Sequence, residues 1–126
     1  MKKEIKIVIG ANFGDEGKGL ITDYFCHQLL VAGHDVLNIR HNGGAQAAHN
    51  VVTPDGKQHV FSHFGAGSFN PNLATYLAGE FILNPILFCR EWDELEKLGV
   101  NPKVYINKNC RITTPYDMML NQILER

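Results

Sequence analysis

The chemistry of this chain is concentrated in a carboxylate set among glycines. Residues 14–19 read Gly14-Asp15-Glu16-Gly17-Lys18-Gly19, after the apolar run Ile5-Lys6-Ile7-Val8-Ile9 and before a helix-like stretch at 20–30. Glycines let backbone N–H groups converge on an anion, and the opening turn of a helix adds its positive dipole end. Lys18 supplies a mobile positive charge for outer phosphates. Asp15 would be repelled by those phosphates unless a metal ion or a proton lies between them, so the pattern points to chemistry as well as binding. It is not an ordinary Walker loop, which needs Gly, four residues, then Gly-Lys-Ser/Thr. Gly10 lies too far ahead of Gly17, and Lys18 is followed by Gly19 instead of a hydroxyl residue. Asp15 is then the nearby oxygen donor for Mg²⁺, which commonly takes one or two carboxylates plus phosphates and waters. The plainer alternative is a glycine-rich turn whose charges are simply solvated.

The first loop, together with a second run Gly43-Gly44-Ala45-Gln46-Ala47-Ala48-His49-Asn50, resembles the amino-terminal part of the adenylosuccinate synthetase family. That family shows Gly-Asp-Glu-Gly-Lys-Gly, then Gly-Gly-x-Asn-Ala-Gly-His-Thr. Val51-Val52, Asp55-Gly56-Lys57, Leu83-Asn84-Pro85, Leu95-Glu96-Lys97-Leu98-Gly99 and Pro115-Tyr116 continue the likeness along nearly the whole chain. The resemblance implies an α/β fold, with a mainly parallel central sheet, flanking helices and a P-loop-like nucleotide-binding layer, partial relative to the family fold. It implies ligation of aspartate to IMP, driven by GTP with Mg²⁺, through a 6-phosphoryl intermediate. In that scheme Asp15 takes the N1 proton of the purine and joins the Mg²⁺ shell. His49 acts as a general acid toward the oxygen and phosphoryl group, and Lys18 steadies the phosphates. The nucleotide contacts carried over are Gly14, Asp15, Glu16, Gly17, Lys18, Gly19, Gln46, Ala48, His49 and Asn50; the metal ligands are Asp15 and the Ala48 carbonyl.

Three departures from the family pattern fall in the second loop. Ala48 replaces a glycine and would resist a positive φ, Gln46 replaces an asparagine, and Asn50 replaces a threonine. His63-Phe64-Gly65-Ala66-Gly67 also stands where a Pro-Ser-Gly turn is usual. A viral branch of the family forms a 2-amino product from deoxyguanylate and is expected to carry serine at the base position; Asp15 argues against it, while the altered second loop keeps it as the alternative. The family's later segments for the monophosphate, aspartate and guanine do not occur in these 126 residues. The expectation is therefore little or no synthetase activity from this chain alone, with a carboxyl-terminal partner chain or a homodimer as possible company. A non-catalytic nucleotide-binding remnant is the competing class.

Positioning these groups requires a strand at 5–9 and a helix after the loop with Leu20, Ile21, Tyr24, Phe25 and Leu29 on its inner face. A second strand at 36–40 would complete a βαβ unit, and a right-handed crossover would bring both loops to one sheet edge. A hairpin is expected around Pro54-Asp55-Gly56, and a loop over 64–71. Residues 76–83 read ambiguously, with a strand expected at 81–83, then a helix from Asn84-Pro85 through Leu98 with Phe88, Trp92 and Leu95 inward. Strands at 103–107 and 111–113 and a terminal helix at 116–124 follow. Arg40 or Asn42 is expected to hold the phosphate loop's backbone. His59 and His63 should lie well apart on a strand, at about 3.3 Å per residue, His41 should be a scaffold residue, and His27 and His34 surface residues.

With 126 residues, 44% hydrophobic and 20% charged, the chain fits one domain, 1–126, with a real core. A net charge of −1, with no basic cluster beyond Lys2-Lys3, gives no electrostatic case for nucleic acid or a membrane surface. No signal peptide or membrane-spanning run is apparent, so the expected compartment is the cytoplasm. Cys26, Cys89 and Cys110 show no paired spacing, so neither a disulfide nor a zinc site is suggested, and they are expected as buried core thiols.

Overall fold

The structure, a computed structural model, describes residues 3–12 and 14–125; of the Lys2-Lys3 pair it therefore describes only Lys3. A mainly parallel sheet is built around β4 (Ala74–Leu83), which pairs with β1 (Leu37–Gly43) on one side and β5 (Lys103–Ile106) on the other. The short β6 (Arg111–Ile112) continues that second side beside Ile82 and Leu83. Strand β4 is far longer than the 81–83 expected. Ala74, Ala78 and Gly79 are weak strand formers alone, but a strand paired on both edges and covered on its faces overrides propensity. Leu77 and Phe81 are fully buried within it. The connection from β4 through α2 (Pro85–Lys97) to the parallel β5 is a βαβ unit. Asn84 caps α2 by accepting from the N–H of Ile86 and of Leu87, each at 3.1 Å. Phe88, Trp92 and Leu95 face inward as the spacing implies, and Phe88 stacks on Phe64 at 5.0 Å between centroids.

The antiparallel hairpin forms as expected from β2 (His49–Val52) and β3 (Gln58–Phe61). Val51 and Phe61 join Phe64, Ala66 and Leu95 in the main apolar cluster, which reaches the cluster of Leu77, Phe81 and Leu83 through Phe88 and Val104. Helix α3 (Pro115–Leu124) carries a capping box between Thr114 and Asp117 and has no buried residue.

Two expectations are corrected. Residues 5–9 form no ladder, and Ile5, Ile7 and Ile9 are 85%, 80% and 79% exposed. A strand exists only through a neighbour's backbone groups. Here a groove of about 850 Å³, lined by Ile5, Val8, Phe25, Leu37 and Ile39 among others, separates this segment from β1. The first βαβ unit is accordingly not formed. Second, α1 (Lys18–Val31) does not bury Leu20, Ile21 or Tyr24, which are exposed; its buried positions are Gly19 and Cys26. Its inner side is made of small residues because the neighbouring backbone comes close. A Cβ on Gly67 would lie 2.6 Å from Cys26 Sγ. The 64–71 segment is the loop expected, though a buried one. It holds a short 3-10 helix (Ala66–Phe69), and its polar groups are satisfied internally: Ser68 Oγ donates to Gly65 O at 2.7 Å, and Asn70 Nδ2 to Asp23 Oδ1 at 2.7 Å.

The cysteines are free, but only Cys26 is the buried core thiol expected: Cys89 is exposed, outside the inward stripe of α2, and Cys110 is partly buried. Burial, with the Asp23 carboxylate adding to it, pushes the Cys26 thiol up to about 11. Because the thiolate is the nucleophile, iodoacetamide near pH 8 is expected to label Cys89 in the folded chain and Cys26 only after unfolding. Peptide mass spectrometry reads this directly; equal labelling of the two would contradict the packing of α1.

Candidate functional site

The first loop is shaped by positive φ at Gly14 (97°) and Gly17 (72°), the latter capping α1. Its converging N–H groups hold an anion that belongs to the chain itself. Glu16 Oε1 accepts from the N–H of Ala11 at 2.9 Å and of Asn12 at 2.8 Å, while Oε2 meets Lys18 Nζ at 3.1 Å. The hydrogen bond from Lys18, then that from the Asn12 N–H, holds the Glu16 carboxyl below the usual range. Glu16 thus braces the loop. Asp15 Oδ1 accepts from the Gly17 N–H at 3.2 Å, and the carboxylate is otherwise exposed.

Gly19 explains how the two loops meet. A Cβ there would stand 2.9 Å from His49 Cβ and 3.2 Å from the Asn50 carbonyl oxygen, so only glycine lets α1 begin against the start of β2. His49 is half-buried. Burial lowers its pKa first, the nearby Arg40 and Lys18 charges lower it further, and Asp15 opposes them. Asp15, Lys18 and His49 therefore share one electrostatic neighbourhood, even though the 5–9 strand that was to bring them together is unpaired. Among the other expected contact residues, Gln46 and Ala48 are exposed in the second loop. Asn50 Oδ1 accepts from Gln58 Nε2 across the hairpin at 3.1 Å. Ala48 has no positive φ; Asn72 is the sole non-glycine with one among the described residues. The alanine is accommodated without strain.

Beneath the second loop, Arg40 is 7% exposed. Its Nη2 donates to Ala47 O at 3.0 Å and to Ser62 O at 2.7 Å, so of the Arg40–Asn42 pair the arginine braces a loop backbone, and it is the second loop's. His41 is exposed, with Nδ1 3.9 Å from Glu80 Oε2. His27 and His34 are exposed as expected, though His27 Nδ1 also meets Asn70 Oδ1 at 3.0 Å. His59 and His63 do not lie apart, which corrects the reading of both on one strand. His63 follows the end of β3, where the chain turns back, and both imidazoles approach Glu91. His63 Nδ1 lies 3.1 Å from Oε2, and His59 Nε2 lies 3.5 Å from Oε1 without a hydrogen bond. Sequence reasoning missed Glu91. The available signal was its place three residues after Phe88 and four before Leu95, inside the apolar stripe of α2.

Among the described residues no cluster of three or more His, Cys, Asp or Glu side chains could hold a metal. A Mg²⁺ site does not require one, since this ion keeps waters and takes substrate phosphates beside one or two carboxylates. The exposed Asp15 carboxylate and the exposed Ala48 carbonyl are oxygen donors of the kind that ion accepts. No helix among the described residues is long and apolar enough to cross a membrane.

Fold and site define an α/β protein with a glycine-bounded anion loop at a helix N-terminus, facing a second loop at the end of a parallel strand. The family model of adenylosuccinate synthetase matches residues 7–126, and the chain belongs to that family. It is 37% identical over 122 residues to the adenylosuccinate synthetase of Acaryochloris marina (strain MBIC 11017), covering 94% of this chain and 25% of the relative. To that of Synechocystis sp. it is 35% identical over 122 residues, covering 94% and 26%. The chain thus spans about a quarter of the length of the curated relatives it matches. Two solved structures share the fold. The fully ligated adenylosuccinate synthetase of Plasmodium falciparum has a TM-score of 0.76 at 24% identity, covering 92% of this chain and 26% of that one. The succinoaminodeoxyadenylate synthetase of cyanophage S-2L, bound to dGMP and to dATP as an energy donor, has a TM-score of 0.68 at 21% identity, covering 88% and 30%.

Proposed function

We propose that this chain forms the phosphoryl-transfer end of a cytoplasmic purine-nucleotide ligase that joins aspartate to IMP at the expense of GTP. The observation that supports the reading most is the close approach of Gly19 to His49, with Lys18 and Asp15 near enough for their charges to act on that imidazole. Phosphoryl transfer asks little covalent work of a protein; positioned charge and a base dominate. In this reading Asp15, held by the Gly17 N–H, takes the N1 proton and makes the purine 6-oxygen nucleophilic. Lys18 neutralises the phosphates. His49, neutral at pH 7 because burial and two cations lower its pKa, donates an N–H to the charge growing on the transferred group. Mg²⁺, held by Asp15 and the Ala48 carbonyl together with phosphates, would supply charge neutralisation between the carboxylate and the nucleotide. Gln46 and Asn50 would border the nucleotide.

Calorimetry tests this. Mg²⁺–GTP is expected to bind the chain with a dissociation constant below about 1 mM, a free energy beyond about −4 kcal/mol. No heat at that concentration would overturn the reading. Titrating IMP against dGMP decides the purine: Asp15 favours IMP, whereas preference for dGMP would move the chain to the 2-amino branch, to which the substituted second loop lends its support.

A further inference from the structure

We infer that Arg40 and Glu91, lying on opposite sides of one peptide unit, form the clamp that positions the second loop and the His49 at its end. The loop cannot hold itself. Its internal bonds are short-range, from the Ala47 N–H to Gly44 O and from the Ala48 N–H to Gln46 O, each at 3.0 Å. His49 itself is paired with Phe61 in the hairpin, but the carbonyl of Ala47 before it is held from outside by the Arg40 guanidinium, whose Nη2 bridges Ala47 O and Ser62 O. The peptide that offers the Ser62 carbonyl to Arg40 offers its other end, the His63 N–H, to Glu91 Oε2 at 2.8 Å. The Ser62 N–H donates to Oε1 at 2.9 Å, and the Phe64 N–H reaches it at 3.4 Å. One peptide group is therefore polarised between a buried cation and a buried anion, an arrangement in which each hydrogen bond strengthens the next.

Two further observations separate a clamp from ordinary packing. Arg40 Nε is buried without a hydrogen-bond partner, so the guanidinium accepts an unsatisfied donor in order to keep Nη2 on the two carbonyls. The register of β1 against β4 also shifts between Arg40 and Asn42; such irregularities re-aim side chains at a strand's end. Arg40 and Glu91 act through Ala47 and Ser62 and are positioning residues. The importance of His49 rests on the ligase reading above; the clamp itself does not.

The test uses ¹⁵N relaxation on the 126-residue chain. In Arg40→Met the amide order parameters of Ala47 and Ala48 are expected to fall from about 0.85 to below about 0.6, that of His49, which is also paired with Phe61, by less, with those of β4 and α2 unchanged. Arg40→Lys, which keeps a donor able to reach the same carbonyls, is expected to restore most of the loss. Unchanged order at Ala47–His49, or an equal fall throughout the chain, overturns the clamp. If Arg40→Met does not fold, Arg40→Gln, whose shorter amide cannot bridge both carbonyls, decides by the same criterion: a fall confined to these amides supports the clamp, and none or a uniform one overturns it. Mg²⁺–GTP affinity, measured on the same samples, is expected to weaken about tenfold in Arg40→Met, or about 1.4 kcal/mol. Absence of nucleotide binding by the unsubstituted chain would sink the ligase reading, and the order parameters would still judge the clamp.

Discussion

Replacing Glu91 with alanine is expected to destabilise the chain by about 3–5 kcal/mol, the usual effect of removing one partner from a buried charged network. The side chain is 5% exposed and accepts from the backbone of Ser62, His63 and Phe64 as well as from the His63 ring. Alanine would strand all of these donors beside Phe61, Phe64 and Leu95. Domains of this size have about 5–15 kcal/mol in total, so the variant should sit near its unfolding threshold. Urea titration reads the loss, and an unshifted midpoint would refute the account. The same carboxylate predicts acid sensitivity. Burial would raise its pKa from 4.5, but the approach of His59, the His63 ring and the N–H groups of His63 and Ser62 outweigh it and hold the group at about 2. The unfolded carboxyl therefore takes up its proton first as pH falls. Stability from this group is full above about pH 5 and is lost between about 4.5 and 2, amounting to about 3 kcal/mol. Glu91→Gln should flatten that part of the acid-unfolding curve.

Asp15→Asn is expected to lower aminopurine ligation by about 10²–10⁴-fold, the range for loss of a positioned general base. The measurement needs a preparation carrying the rest of the family fold, either continuous with this chain or added to it. The amide keeps an oxygen where Oδ1 accepts the Gly17 N–H, so the loop and the melting temperature should not change. The loss would then be chemical. A rate within about threefold of the parent would remove Asp15 from the role proposed for it and leave the loop as a binding element only.

The legible part of this protein was local. Asn84-Pro85 before an apolar stripe announced α2, and Pro54-Asp55-Gly56 announced the hairpin, because capping and turn chemistry act over a few residues. The glycine pattern at 14–19 announced the turn into α1, with positive φ at Gly14 and Gly17, for the same reason. What could not be read depends on neighbours. Ile5, Ile7 and Ile9 have the composition of a strand, but composition does not provide an adjacent edge. Leu20, Ile21 and Tyr24 follow a helical stripe, yet α1 turns its glycine and cysteine inward, since a close backbone admits nothing larger. The 64–71 segment was legible as a loop, but its burial was not, since it depends on hydrogen bonds to Asp23, Asn38 and Thr75 that no spacing rule encodes. Glu91 was hidden by its charge, which led the α2 stripe to be read around it.

The first loop meets any visiting oxyanion with its seat already taken. While Glu16 rests on the N–H groups of Ala11 and Asn12, a phosphate entering there must exchange with a tethered competitor, one whose effective concentration no dilution can reduce. Were a phosphate to take that place, Lys18, which now pairs with Glu16, would be released to the newcomer.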